Sequence, residues 1–543
     1  MRLRLVVGVL AFFLLMSLAL AFLLVGPDLV FSNAQVGPRS GSSATTVGSD
    51  NVISRENAQL GTRKWVIPAG RVASTQIQAY ASATSVASGD KLTFYVSTQK
   101  DKDRFSVEIY RLGWYGGDGG RLMASQTGLI GQVQGYYDQT THALVNCQSC
   151  RIDTDTGLVE AKWRPSYSLT IPSDWTTGIY LAKFSLVFSG KETYAPFDVR
   201  GNTRSAYVAV TSDNTYQAYN DWGGYSLYEA EGTTSTSENG TSPKGVMVSF
   251  DRPYAGGWGD GEVLTFEINT VRWLERQGYD LSYTSSVDLH ENPGQLLQHH
   301  AYLSLGHDEY WSKEMRDGVE SARNHGVGLV FLGADAAYWQ VRYQSASTGV
   351  ADRTIICYKV ETVNRDLARD PFYGRDNSRV TSQWRDPILG RPENALIGVM
   401  FSDLTHQRFG YPWQVNSQID SQGDSLLLAG TGLGTGQQYG CNLVGYEWDK
   451  VFANGATPRD LQILSTSHTF NDQNKPDVSN TTYYIASSGA MVFATGAIYW
   501  TFALDDYRFN VDPVCANQSH AVPEIQRLMV NVMKAVVVAH VAG

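Results

Sequence analysis

The feature that most constrains this chain is a change of hydrophobic period near residue 200. Before it, apolar and polar residues alternate in Leu92-Thr93-Phe94-Tyr95-Val96-Ser97, Phe105-Ser106-Val107-Glu108-Ile109-Tyr110 and Gly178-Ile179-Tyr180-Leu181-Ala182-Lys183-Phe184. Every second side chain then shares one face, as in half-buried strands. Turn clusters such as Ser88-Gly89-Asp90 and Pro172-Ser173-Asp174 separate these runs with no helical stretch between them. That spacing predicts an all-β, immunoglobulin-like sandwich over residues 63–204. After the change, continuous apolar strands at Val246-Met247-Val248-Ser249-Phe250, Ala301-Tyr302-Leu303-Ser304-Leu305 and Gly328-Leu329-Val330-Phe331-Leu332 alternate with amphipathic helices. One helix runs from Glu262 to Gln277 with Leu264, Ile268, Val271 and Leu274 on one face. The next is capped by Ser312 and turns Met315, Val319 and Ala322 inward. This pattern predicts an α/β domain over residues 205–543, built on a mainly parallel sheet with helices on both faces. Within it, roughly 345–485 reads as an irregular insertion, and a last helix starts at Pro523.

The N-terminus predicts export. Arg2 and Arg4 precede an uncharged run from Leu5 to Val25, which at ~1.5 Å per residue reaches the ~30 Å of a bilayer core. Its length favours an uncleaved signal anchor over residues 1–31, and cleavage after Ser32-Asn33-Ala34 is the rival reading. Residues 32–62 read as a polar linker holding the remainder off the membrane. Cys147 and Cys150 have no second C-x-x-C to complete a zinc site, so a local disulfide is expected. Cys357, Cys441 and Cys515 lie far apart, and at least one stays unpaired within a monomer. With 43 basic against 53 acidic residues the net charge is -10, which argues against a nucleic-acid partner.

Ligands of open α/β sheets bind beyond the carboxyl ends of the strands. His307, Asp308 and Glu309 follow the strand ending at Leu305, Asp335 follows the next, and Asp251 and Arg252 follow the strand ending at Phe250. Together they predict one polar rim. A second cluster, Tyr216-Gln217-Ala218-Tyr219-Asn220-Asp221-Trp222-Gly223-Gly224-Tyr225-Ser226-Leu227-Tyr228, reads on composition alone as a tyrosine-rich packing loop, although it can present phenols inward. The loop from Leu112 to Gly120 reads as a hairpin tip or a domain contact before a sugar site, and His299-His300 reads as a surface pair. No Gly-x-Ser-x-Gly elbow, His-Glu-x-x-His helix or Walker loop occurs, and the glycines of Gly430–Gly436 open no predicted helix.

Tyr216-Gln217-Ala218-Tyr219-Asn220, Ser226-Leu227-Tyr228, Gly306-His307-Asp308-Glu309-Tyr310-Trp311 and Gly333-Ala334-Asp335-Ala336-Ala337-Tyr338-Trp339 resemble the C-terminal domain of the large subunit of N,N-dimethylformamidase. The likeness covers about 205–540 and, more loosely, the β region before it. It implies a fold akin to glutamine amidotransferases without their cysteine nucleophile, and hydrolysis of a small amide at a mononuclear ferric iron. By motif, Tyr219 and Tyr228 would be phenolate ligands and Glu309 the carboxylate ligand, with Tyr216 an alternative to Tyr219. His307 would move a proton to the leaving amine, and Asp335 stands where the family more usually has asparagine. Hard oxygen ligands suit ferric iron better than zinc. The resemblance also implies a small accessory subunit, or a homo-oligomer. Two rivals remain: a non-catalytic surface protein binding glycan or cell-wall polymer on a degenerate amidotransferase-like fold, and a glycosidase using Asp308 or Glu309, for which no second acid can be paired.

Overall fold

A computed structural model describes residues 50–201, 204–228, 245–405, 410–418, 427–507 and 521–538. The expected anchor at 1–31, linker residues 32–49 and Cys515 lie outside the described residues. No helix among the described residues is long and apolar enough to cross a membrane.

The alternating stretches form strands Lys91–Thr98, Arg104–Leu112 and Gly178–Leu186. A three-stranded and a five-stranded sheet close over one core that contains Phe94, Val107, Phe184 and Phe197. The end of the expected linker is ordered. Helix Val52–Asn57 begins with a capping box at Asn51, buries Ile53, and pairs Glu56 with Arg121 at 2.8 Å. The loop at Trp114 is a contact between the two halves, its indole lying under Arg272 and Arg276 at 5.1 and 4.9 Å.

Beyond the sandwich a seven-stranded sheet contains, in chain order, β1 (Tyr207–Thr211), β2 (Leu281–Ser285), β3 (Ala301–Ser304), β4 (Gly328–Phe331), β5 (Gln462–Phe470), β6 (Pro476–Ile485) and β7 (Met491–Ala494). Its spatial order is β2-β1-β3-β4-β7-β6-β5. The strands from β2 to β7 pair in parallel, and β6 and β5 close the edge antiparallel. Ser312 caps helix Lys313–Asn324 as expected, and helix Pro523–Val538 buries Ile525, Leu528 and Val532.

The predicted fold class is nonetheless overturned. Among the described residues strand outweighs helix, 34% to 20%, spread over eight sheets that are mostly small and antiparallel or mixed. This is not a parallel, amidotransferase-like α/β fold. Two segments account for the error. Met247–Ser249, read as the first strand of the main sheet, pairs antiparallel with Thr354–Ile356 in a separate four-stranded sheet. The supposed insertion delivers β5 and β6, whose buried residues are mostly polar: Ser465, Ser467, Thr469, Ser479, Asn480, Thr481 and Thr482 beside only Leu464 and Tyr484. Polar residues buried in a ladder leave no hydrophobic alternation to read. His299 also departs from expectation: it is buried, with Nδ1 2.9 Å from the Ser205 carbonyl. Cys147 and Cys150 form the expected disulfide, Cys441 is disulfide-bonded, and Cys357 is a buried free thiol.

Among the buried polar links that join the sandwich to the second half are two built on carboxyl groups. Arg111 holds Glu275 through Nη2–Oε1 at 2.7 Å and Nη1–Oε2 at 2.8 Å, with both side chains fully buried. Thr211 Oγ1 donates to one of two acids it touches, Asp198 Oδ2 at 2.7 Å and Asp213 Oδ2 at 2.8 Å. Burial pushes the Asp213 carboxyl up to about 7, and burial together with the charge of Asp213 raises Asp198 as well.

Two outcomes follow. Arg111→Met, which strands the buried Glu275 carboxylate, should lower unfolding free energy by about 3–5 kcal/mol in urea titration. Between the unfolded carboxyl pKa and about 7, the native state binds more protons than the unfolded state at Asp213, so its contribution to stability falls as pH rises through that window and levels off above it. Thermal melts should show Asp213→Asn flattening this slope and gaining a few degrees over the parent at pH 8.

Candidate active site

Helix α1 (Asp213–Tyr219) follows β1 directly, so its first turn starts at the carboxyl edge of the sheet. The tyrosine cluster is therefore partly helical rather than a packing loop, and it leads Tyr219 and Tyr228 to one place. Their rings stack with centroids 4.3 Å apart. β3 ends before Gly306, and the chain then carries His307, Asp308 and Glu309 into a short strand, Tyr310–Ser312, of the neighbouring sheet. This turn needs glycine where it meets its neighbours. A Cβ on Gly306 would lie 2.9 Å from the Phe266 carbonyl, and one on Gly333 only 2.3 Å from the Gly306 carbonyl. The loops after β3 and β4 thus run in backbone contact, which brings Asp335 beside Glu309. Asp335 has φ 56°, a conformation costly for a non-glycine residue and common at functional sites.

Glu309 is the hub. Its carboxylate accepts from the Tyr219 hydroxyl at 2.8 Å and from the Tyr228 hydroxyl at 3.0 and 3.1 Å. The Tyr228 hydroxyl also lies 2.7 Å from that of Tyr219 and from that of Tyr310. The Lys359 ammonium sits 3.6 Å from the Tyr228 ring centroid. On the other side of Glu309, His307 Nε2 lies 3.4 Å from Glu309 and 3.8 Å from Glu447, while Nδ1 contacts Glu262 at 3.1 Å. Single donor atoms of His307, Glu309 and Asp335 lie within 4.8 Å of one another. Three buried polar atoms here, His307 Nε2, Asp335 Oδ1 and Glu447 Oε2, have no hydrogen-bond partner.

The electrostatics follow from crowding acids in a buried pocket. Burial, then the Glu309 charge, raises both tyrosine hydroxyls well above the usual phenol range, so both are protonated donors to Glu309. Burial pushes Glu447 up to about 8 and Asp449 to about 7, and burial plus Glu309 raises Asp335. Burial opposes a charge on His307, but Glu262, Glu309 and Glu447 outweigh it and hold its pKa well above the ordinary histidine value.

The predicted rim is only partly assembled. His307, Glu309 and Asp335 converge. Asp308 turns away to accept from Ser304 at 2.9 Å and Tyr302 at 3.3 Å. Asp251 pairs with Arg353 at 2.9 Å, and Arg252 is buried donating to the carbonyls of Trp222, Tyr225 and Asn220. Neither joins the cluster, because their strand lies at the opposite edge of the four-stranded sheet from Tyr310–Ser312. Tyr216 does not reach Glu309; its hydroxyl is buried without a hydrogen-bond partner. Glu262, Tyr310, Lys359, Glu447 and Asp449 were not expected. The signal available for two of them was Glu447-Trp448-Asp449, acids at i and i+2 on one face of a strand.

The family described as N,N-dimethylformamidase beta subunit-like, C-terminal, matches residues 106–517, so the likeness begins inside the sandwich rather than at the second half. The N,N-dimethylformamidase beta subunit of Alcaligenes sp is 22% identical over 423 residues, and that of Paracoccus aminophilus 20% identical over 421. Each match covers 66% of this chain and 54% of the relative, so the chain spans about half the length of these relatives. With more than half of its length matched from strand Arg104–Leu112 past the Glu309 centre, the chain belongs to the N,N-dimethylformamidase beta subunit-like family, through that family's C-terminal region.

Proposed function

We propose that this chain hydrolyses the C–N bond of a small, non-peptide amide of the formamide type at a mononuclear ferric iron held by Tyr219, Tyr228 and Glu309. The observation that carries the reading is the meeting of two tyrosine hydroxyls with one buried carboxylate, all within 3.1 Å of each other, from segments 81 to 90 residues apart. The donor set fits a hard trivalent cation. It offers hard oxygens, and around it acids and a histidine nitrogen are buried without hydrogen-bond partners. The protons now shared between the phenols and Glu309 occupy the places that a cation would take over. Bound there, the iron would supply Lewis acidity toward the amide carbonyl and toward water.

The remaining work falls to this chain's own groups. His307 is oriented by Glu262 on Nδ1 and turns Nε2 toward Glu309 and Glu447. It is the group positioned to pass a proton to the departing nitrogen as water's oxygen bonds the carbonyl carbon and the C–N bond breaks. Asp335 and Glu447 line the same side. Lys359, over the Tyr228 ring, helps keep the Glu309 carboxylate ionised against the effect of burial. The relatives' names as beta subunits support an accessory subunit or oligomer for this chain too. The Cys147–Cys150 disulfide supports an extracytoplasmic location. The glycan-binding rival loses its aromatics, since Tyr115 is buried and Trp114 packs under two arginines.

After iron-replete expression, the full chain should carry about one iron by elemental analysis and a visible tyrosinate-to-iron band. Tyr228→Phe should weaken or shift that band, and Glu309→Gln should lose most of the metal; a colourless, iron-free protein overturns the reading. Against a panel of small N-substituted amides, amine release should be detectable and should fall at least a hundredfold in His307→Gln with iron retained.

A further inference from the structure

A cavity of about 220 Å³ opens beside the centre. Two of its walls belong to the machinery already described: Tyr219, which donates to Glu309, and Glu262, which holds His307. Half of the other lining residues are aromatic, and Asn220, Thr265 and two glycines make up the rest. Tyr216, Tyr254, Phe266 and Tyr446 line it with Tyr219, and Tyr216 and Tyr254 meet edge to face at 6.2 Å. Glu262 is the only charged residue among the lining residues, and no lysine, arginine or histidine accompanies it there. Its side chain keeps 18% of its surface open.

We propose that this cavity is an alkylammonium subsite: it holds the N-alkyl groups of the amide and then the small alkylammonium ion released from it. This rests on the amidase reading for its place in the reaction, but the cage chemistry stands on its own. Faces of aromatic rings attract a soft, weakly hydrated cation, and the Glu262 carboxylate, which also pairs with His307 at 3.1 Å, adds charge attraction to such a cage. The volume lies below the ~300–1,000 Å³ of drug-sized sites, which suits a few-carbon amine. A neutral hydrocarbon group of the same shape would gain the contact area but not the charge attraction. The position fits the chemistry, because a nitrogen protonated from His307 Nε2, which faces Glu309, would leave beside Tyr219, the wall that the cavity shares with the centre. Glu262 therefore has two tasks, orienting His307 and receiving the cation.

The test uses the full chain with no amide present, so that binding is read apart from turnover. Calorimetric titration at constant ionic strength would compare dimethylammonium, tetramethylammonium and choline with 3,3-dimethylbutan-1-ol, the uncharged isostere of choline. Choline should bind about tenfold or more tightly than the isostere. Tyr254→Leu and Glu262→Gln should each lose about tenfold in ammonium affinity while leaving the isostere nearly unchanged, with Tyr446→Leu replacing Tyr254→Leu if the latter does not fold. Equal affinity for choline and the isostere, or unchanged ammonium affinity in the folded variants, overturns the proposal. Ammonium binding without amine release from any amide would sink the amidase reading and leave the subsite. Amine release without ammonium selectivity would do the reverse.

Discussion

The buried pair Arg111–Glu275 is the contact on which the geometry of the site depends. Both charges are fully buried, and the Thr177 carbonyl and the Tyr283 and Tyr115 hydroxyls complete their hydrogen bonding. A pair so placed contributes little net stability compared with an apolar replacement, yet it tolerates only one register. It ties a sandwich strand to helix Ile268–Arg276. That helix continues from a π-helical turn, Val263–Glu267, whose N-terminal neighbour is Glu262. Such turns recur at functional sites because the extra residue redirects a side chain. From the sandwich, then, a continuous rigid path leads to the carboxylate that orients His307.

The centre itself is an excess of buried acid. Burial raises the carboxyls of Glu447, Asp335 and Asp449, while His307 and Lys359 overcome burial to keep Glu309 low. A buried pocket with this composition is costly in the free chain and favourable around a cation. The strained backbone at Asp335 and the interlocked glycines Gly306 and Gly333 show where the fold accepts cost to bring the acids together. The cavity behind Tyr219 then gives the polar centre an antechamber lined by five aromatic residues and one carboxylate.

Much of the local structure was legible. Strand β3, the Ser312 cap, the helix from Pro523 and the sandwich strands all follow from period, capping residue or proline, which act over a few residues. The overall class was not. β5 and β6 bury serine and threonine, so their pairing in the ladder has no apolar signature, and they turn a parallel run into a mixed sheet. Likewise Met247–Ser249 has the apolar character of a main-sheet strand but joins another sheet at the edge opposite Tyr310–Ser312, which removes Asp251 and Arg252 from the rim.

By itself the sequence determined that Gly306-His307-Asp308-Glu309 closes a buried strand, because strand burial and a following polar turn are short-range properties of side-chain type and order. Its motifs also sufficed to mark the family. Only the tertiary structure decided which groups meet there. Asp308 was turned inward to Ser304 and Tyr302, Glu309 outward to two tyrosines, and Glu262, Lys359 and Glu447 were brought in from segments with no shared pattern. The physical reason is that these contacts depend on strand order and on backbone close approach between loops. Both are set by packing across the whole molecule rather than by neighbours along the chain.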